Sequence, residues 1–256
     1  MAEKMITSRE NPLVKYLIRI KKRKEKNLLF LEGERLVEDA LKKLSPEKIF
    51  ISEEKFERNY PIIPVVLSKK IFQELSETKN SQGVIGIFKR PEMHIDELFK
   101  CKKVFYLDKI RDPGNLGTII RSADAFSIDA LVLSEGTVDP FMPKVLRATM
   151  GSVFRVPIFF DTANNDLVKK WKVSGELFAT KPKCDKSFAE AKIKEPYMIV
   201  LGNEAFGVSD EILREAKNFY LPMSGNAESL NAAVCASILM YLLQEVNYGV
   251  GGCGQI

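Results

Sequence analysis

The chain has 256 residues, is 45% hydrophobic and carries a formal net charge of +5, which is enough apolar chain to bury a core in one large or two small domains. No run approaches the roughly 20 apolar residues that span a bilayer, and the opening MAEKMITSRENP lacks the apolar stretch of a secretory signal, so a cytoplasmic protein without membrane attachment is expected. Cys101, Cys184, Cys235 and Cys253 form no C-x-x-C pair, and the single histidine, His94, lies in polar RPEMHIDE; neither a metal site, a disulfide framework nor Ser-His-Asp chemistry is expected.

Residues 1–30 hold nine Lys/Arg against three Glu, so the basic excess sits at one end. Lys15, Arg19, Lys21, Lys22, Arg23, Lys24 and Lys26 accompany Leu13, Leu17 and Ile20 at a spacing that predicts a helix with one buried stripe and a positive face. Such a face suits the phosphates of a polyanion; a merely solvated face accounts for the run equally well. A membrane surface is the weaker reading, because the exposed flank has no aromatic or leucine-rich second face.

Leu36, Val37, Ala40, Leu41 and Leu44 mark a second helix, and KIFIS, IIPVVL and GVIGIF read as strands, giving a small α/β unit. Its expected span is 1–90, followed by a linker at 91–98 where proline and mixed charge replace apolar residues.

Over 99–256 strands alternate with helices: VFYLD, a helix from about Asn115, ALVLS, a helix around Val145, VFRVPIFF, a helix over Asp166 to Trp171, ELFAT, a short helix, YMIVLG, a helix after Ser209, FYLP, and a long apolar helix from about Leu230 to Val246. Strands apolar throughout predict a three-layer α/β domain with a mostly parallel sheet. Ligands of such sheets bind beyond the carboxyl ends of the strands. Three polar, glycine-bearing loops lie there, DKIRDPGNLG, GNEAFG and PMSGNAESLN, and they read as one composite site.

No G-x-x-x-x-G-K-[ST] is present, which argues against a P-loop nucleotidase. The G-x-G-x-x-G at Gly249, Gly251 and Gly254 has no strand before it and reads as an accidental match in an unstructured tail. In the first loop Asn115 can cap a helix beginning at Leu116 or serve the site. Arg121, among Ile119, Ile120 and Ala123, calls for a carboxylate or phosphate partner, through a buried salt bridge or an RNA-phosphate clamp. Glu204 fits a surface turn ahead of a helix. On local grounds Ser229 is the N-cap of the last helix and Asn231 an ordinary first-turn residue.

DPGNLGTIIRSADAF, IVLGNEAFGVSDEI and LPMSGNAESLNAAVCASI resemble, in order, the three motifs of the SpoU (TrmH-type) RNA ribose 2'-O-methyltransferases. DPFMPKVLRATMGSVFRVPIFF is similar to that family's linking segment, and ITSRENPLVKYL with LFLEGERLVEDAL to the opening of members carrying a small substrate-binding domain related to ribosomal proteins. The resemblance implies a C-terminal trefoil knot of the SPOUT type, a homodimer through the C-terminal domain, and S-adenosylmethionine as cofactor. It assigns Gly202, Leu221 and Leu230 to the cofactor, joined by the neighbouring Thr180, Leu201 and Met223, and Asn115, Arg121, Glu204, Ser229 and Asn231 to catalysis or its organisation. Arg9, Lys15, Lys21, Lys22, Arg23 and Lys24 are the expected RNA contacts.

Two positions depart from the family pattern: Ser122 stands where threonine is common, and Ser127 where glycine often ends the helix. The expected function is methyl transfer to a ribose 2'-hydroxyl of ribosomal RNA. Transfer RNA is the alternative acceptor, and a non-catalytic RNA-binding assembly factor the alternative class. A small-molecule methyltransferase leaves the basic N-terminal run unexplained.

Overall fold

The computed structural model describes residues 5–55, 60–76, 78, 81–162 and 165–248, with the side chains of the last helix as far as residue 244. The glycines at 249, 251 and 254 lie outside the described residues. The chain divides into two compact units, Met1–Glu92 and Met93–Ile256. Among the described residues no helix is long and apolar enough to cross a membrane.

In the first unit, helix α1 (Pro12–Lys21) starts where the Asn11 side chain accepts the Leu13 amide at 2.9 Å, with Pro12 in the first turn. Its buried stripe is Val14, Leu17 and Ile20; Leu13 is only half-buried. Arg23 at φ 58° ends it, with Arg23 N–H to Ile20 O at 2.7 Å and Lys24 N–H to Arg19 O at 3.0 Å, the bond pair of a Schellman stop. The expected helix therefore ends early, and Lys24 and Lys26 lie beyond it.

There follow β1 (Leu28–Glu32), α2 (Glu34–Leu41), β2 (Pro46–Ser52), β3 (Val65–Leu67), α3 (Lys69–Leu75) and β4 (Val84–Lys89). The sheet order is β1-β4-β2-β3, with β4 antiparallel to β1 and β2, and β3 parallel to β2. Of the expected strand IIPVVL only Val65–Leu67 is extended in a sheet, after Pro64, which offers no N–H to a ladder. Leu17, Ile20, Phe50, Leu67, Phe72 and Ile85 are among the residues of this unit's core.

Within the stretch 91–98, α4 (Ile95–Leu98) forms, and Leu98 is fully buried in the second unit's core. The rest of that unit runs β5 (Lys103–Leu107), α5 (Pro113–Ala125), β6 (Ala130–Ser134), α6 (Pro143–Thr149), β7 (Ile158–Asp161), α7 (Asp166–Trp171), β8 (Glu176–Thr180), α8 (Phe188–Ala191), β9 (Tyr197–Leu201), α9 (Asp210–Glu215), β10 (Lys217–Phe219) and α10 (Ala232–Tyr248). Every pairing in its six-stranded sheet is parallel, in the order β10-β8-β9-β5-β6-β7. Val104, Tyr106, Val132, Met198 and Val200 pack with Trp171 and Ile212 on one face. The alternate residues Phe105, Leu107, Leu131, Leu133 and Ile199 are equally buried and point to the other face. Helices cover both sides, as three layers require.

Several boundaries differ from the sequence expectation. The start of VFRVPIFF is not strand: Ser152–Phe154 is a 3-10 turn, set by left-handed Met150 (φ 50°) and Gly151 (φ 84°). The strand expected at FYLP is Lys217–Phe219, so Tyr220–Pro222 lie past it.

Helix α5 packs tightly on α6: a Cβ at Gly117 would sit 2.4 Å from the Ala148 Cβ. Its carboxyl end is a second Schellman stop, with Ile128 N–H to Ala123 O at 2.9 Å and Ser127 N–H to Asp124 O at 3.4 Å. Ser127 occupies the left-handed position at φ 51°, which explains why glycine suits that place. Ser127→Gly is expected to stabilise the protein by about 0.5–1 kcal/mol, since relief of the Cβ clash outweighs the added freedom of the unfolded chain; urea denaturation checks this, and a lower midpoint contradicts it.

Candidate active site at the carboxyl edge of the parallel sheet

Strands β5, β6 and β7 step toward one edge of the sheet, and β8 then restarts on the other side, so β9 fills in between β8 and β5. The reversal of winding puts the topological switch point at the carboxyl ends of β5 and β9, the usual ligand position in such sheets. Two of the three glycine-bearing loops emerge there, and the third follows β10 on the same edge.

Asp108, the residue after β5, is 1% exposed. One carboxylate oxygen accepts from the Ser209 amide at 2.8 Å and the Ser209 hydroxyl at 2.7 Å; the other accepts from Ser134 Oγ at 3.5 Å. A buried carboxylate needs such donors, and these tie the β5, β6 and β9 loops together. The β9 loop is closed by reciprocal backbone bonds, Asn203 N–H to Gly207 O at 3.1 Å and Gly207 N–H to Asn203 O at 2.8 Å. Asn203 also donates its side-chain amide to Lys109 O at 2.8 Å and accepts the Ala205 amide at 2.8 Å. Gly202 has no room for a side chain, for a Cβ there would fall 2.0 Å from the Gly207 carbonyl carbon.

The cap of α5 is Asp112, which accepts the Asn115 amide at 2.8 Å, and the helix begins at Pro113. This corrects the expectation that Asn115 caps a helix starting at Leu116. Relieved of capping, the Asn115 side chain donates through Nδ2 to Glu204 Oε1 and accepts through Oδ1 from Asn231 Nδ2 at 2.9 Å. Asn231, not Ser229, is the residue ahead of α10: its Oδ1 accepts from the Ala233 and Val234 amides at 2.9 and 3.2 Å. The local reading of these two residues is thereby reversed. Glu204, Asn115 and Asn231 form one hydrogen-bonded chain across three loops.

Two expected members stand apart. Ser229 is exposed and has no hydrogen-bond partner among the described residues. Arg121 is also exposed, without an ion-pair partner among the described residues, so the buried salt bridge is not formed. Six positions after Asn115 it is turned about 120° around the helix. Ser122 lies back on the Asn115 side, its hydroxyl 2.7 Å from Ser237 Oγ, which donates on to Ala233 O at 2.7 Å; with the Phe126–Tyr241 edge contact at 5.9 Å this seats α10 on α5.

Asp108, Asn203 and Ser209 were missed by motif reading. The visible signal was an acidic residue closing the apolar strand VFYLD. Cys235, whose amide bonds to Asn231 O at 2.9 Å, is a neutral thiol, pushed by burial up to about 11.

The six residues expected at the cofactor share the same edge. Thr180 and Leu201 end β8 and β9, Gly202 follows β9, Leu221 and Met223 follow β10, and Leu230 precedes α10. From Leu221 to Leu230 no backbone amide or carbonyl has a partner among the described residues. Unpaired backbone groups beside apolar side chains are the donor set that an adenine ring takes.

In the first unit, Lys21 Nζ donates to Leu75 O at 2.8 Å and Ser76 O at 3.1 Å, capping the carboxyl end of α3. Lys15 pairs with Glu10, and Arg9 approaches Glu74 at 4.0 Å. Lys22, Arg23 and Lys24 are exposed at the α1 stop. The positive surface is therefore centred on that turn and not on the helix flank.

Residues 102–241 match the SpoU rRNA Methylase family, and residues 11–86 match the MRM3-like substrate binding domain. The chain is 36% identical over 252 residues to the 23S rRNA (guanosine(2553)-2'-O)-methyltransferase RlmP of Bacillus subtilis, covering 94% of this chain and 99% of that protein. It is 30% identical to human mitochondrial rRNA methyltransferase 3, covering 86% of this chain and 68% of the relative. The solved AdoMet-bound rRNA methyltransferase from Sinorhizobium meliloti superimposes with a TM-score of 0.80 at 29% identity, covering 97% of this chain and 99% of that one. A family match across most of the second unit, a relative aligned nearly end to end and the motif loops joined at one sheet edge agree: the chain belongs to the SpoU rRNA Methylase family.

Proposed function

We propose that this protein transfers a methyl group from S-adenosylmethionine to the 2'-hydroxyl of a ribose in ribosomal RNA. The observation that carries the reading is the Glu204–Asn115–Asn231 chain, which joins all three motif loops in one site. Ribosomal RNA as acceptor follows the activities of the relatives and fits the cytoplasmic location expected from the sequence.

Bound S-adenosylmethionine supplies a methyl group on a positively charged sulfur, which a ribose oxygen displaces. Thr180, Leu201, Gly202, Leu221, Met223 and Leu230 would hold the cofactor, and the 221–230 backbone would offer hydrogen bonds to its base. The amide of Asn115, fixed at both ends, holds Glu204 and the start of α10 in place, so that positioning supplies much of the rate. Arg121 is permanently protonated and so is not the base; its guanidinium, without an ion-pair partner among the described residues, grips the target phosphate and favours the alkoxide left when the ribose hydroxyl gives its proton to water.

The reading includes a trefoil knot and a homodimer. The knot rests on the chain's membership of the SpoU family. Arg121, turned away from Asn115 and without an ion-pair partner among the described residues, and the exposed Val234 and Tyr241 on α10, support a site completed by a second copy.

Incubation with labelled S-adenosylmethionine and unmodified ribosomal RNA tests the activity. Asn115→Ala is expected to lower transfer at least about 100-fold, as loss of a positioning contact does, with little change in thermal stability. Absence of label with folded wild-type protein returns the chain to the non-catalytic alternative.

Arg121→Ala is expected to be inactive while keeping cofactor affinity. Mixed with inactive Asn231→Ala, it should regain part of the activity if each site draws on both copies; no recovery in mixed dimers contradicts the shared site.

Replacing Lys22, Arg23 and Lys24 with glutamine should weaken RNA binding, flatten its salt dependence and leave cofactor affinity intact. Lys21 is spared in that design because it caps α3. Unchanged RNA affinity would make the turn a solvated surface.

A further inference from the structure

Phe206 is 85% exposed, an unusual place for a phenyl ring, whose burial is worth about 2 kcal/mol. It stands at the tip of the β9 loop, two residues from Glu204, on a turn braced by the reciprocal Asn203–Gly207 bonds of 3.1 and 2.8 Å. The Asn203 amide bonds to Lys109 O at 2.8 Å, so the turn is fixed to the neighbouring loop. The ring is thus presented from a rigid base beside the catalytic chain.

The loop to which its turn is tied carries two exposed cations. Lys109 and Arg111, on the loop to which the turn is tied, are exposed and have no ion-pair partner among the described residues. A bare aromatic ring beside unpaired cations matches single-stranded RNA, whose bases stack while its phosphates take the charges. A second copy of this chain would bury the ring at the expense of desolvating those cations. We propose that Phe206 is the platform on which a nucleobase next to the target ribose stacks, fixing the acceptor strand over Glu204. The inference rests on RNA being the acceptor, as proposed above, and adds a positioning residue outside the motif assignments.

The test uses the full chain and an unmodified in vitro transcript of large-subunit ribosomal RNA. In Phe206→Trp the new indole can be read separately, because Trp171, the chain's single tryptophan, is fully buried and sheltered from iodide. The transcript is expected to quench the new indole and shield it from iodide. A bound transcript that leaves emission and iodide access unchanged overturns the proposal. So does an indole already shielded before RNA is added, which would place a second copy over it, and so does failure of the transcript to bind.

In the transfer assay Phe206→Ala is expected to lower kcat/KM for the transcript roughly 10- to 100-fold, the scale of one lost base stack. Phe206→Leu should be equally impaired and Phe206→Tyr near wild type, all with unchanged cofactor affinity. Wild-type activity in the leucine variant overturns stacking, because leucine keeps apolar bulk without a π-face. A wild-type protein that labels no RNA, while the transcript still shields the indole, removes the methyl-transfer reading and leaves the stacking site standing.

Discussion

A primary amide can donate and accept at the same time, and the side chain of Asn115 does both. Its nitrogen holds Glu204 and its oxygen holds Asn231. A carboxylate at that position would face Glu204 as a like charge, and an ammonium would have nothing to offer the Asn231 amide. The residue that joins the loops after β5, β9 and β10 therefore has to carry opposite polarities a few ångströms apart. The buried Asp108 fixes two of those loops to each other through Ser209. The amide clamp thus stands on a carboxylate that is already satisfied and immobile.

The class of fold and the three loops were legible because they depend on local patterning. Apolar runs of strand length alternate with helical stripes, and glycine with polar residues marks the strand ends. Two further placements are written in the sequence itself. In Asp112-Pro113, proline at the first helical position points to the preceding aspartate as the cap, which leaves Asn115 inside the first turn. Leu116, Ile119, Ile120 and Ala123 define a stripe that excludes position 121, so the helical wheel places Arg121 in solvent.

Other features had no local signature. Ser229 and Asn231 are both good caps, and the choice between them rests on Asn115, 116 positions away. The insertion of β9 between β8 and β5 depends on the whole sheet. The first unit's cation run was read as a helix face because a left-handed arginine at position 23 is rarer than a glycine stop. That stop moves the exposed charge onto a turn, where Lys22, Arg23 and Lys24 project from a sharp bend.

Trp171 gives the molecule an internal label. It lies in the core of the second unit beneath the parallel sheet, its indole N–H donating to Glu176 O at 3.2 Å, and the first unit contains no tryptophan. Tryptophan emission, excited at wavelengths that tyrosine does not absorb, therefore follows the melting of the methylase-family unit alone, while far-ultraviolet circular dichroism follows the secondary structure of both. Comparing the two signals along one denaturation curve separates the stability of the first unit from that of the unit bearing the clamp, with no label added.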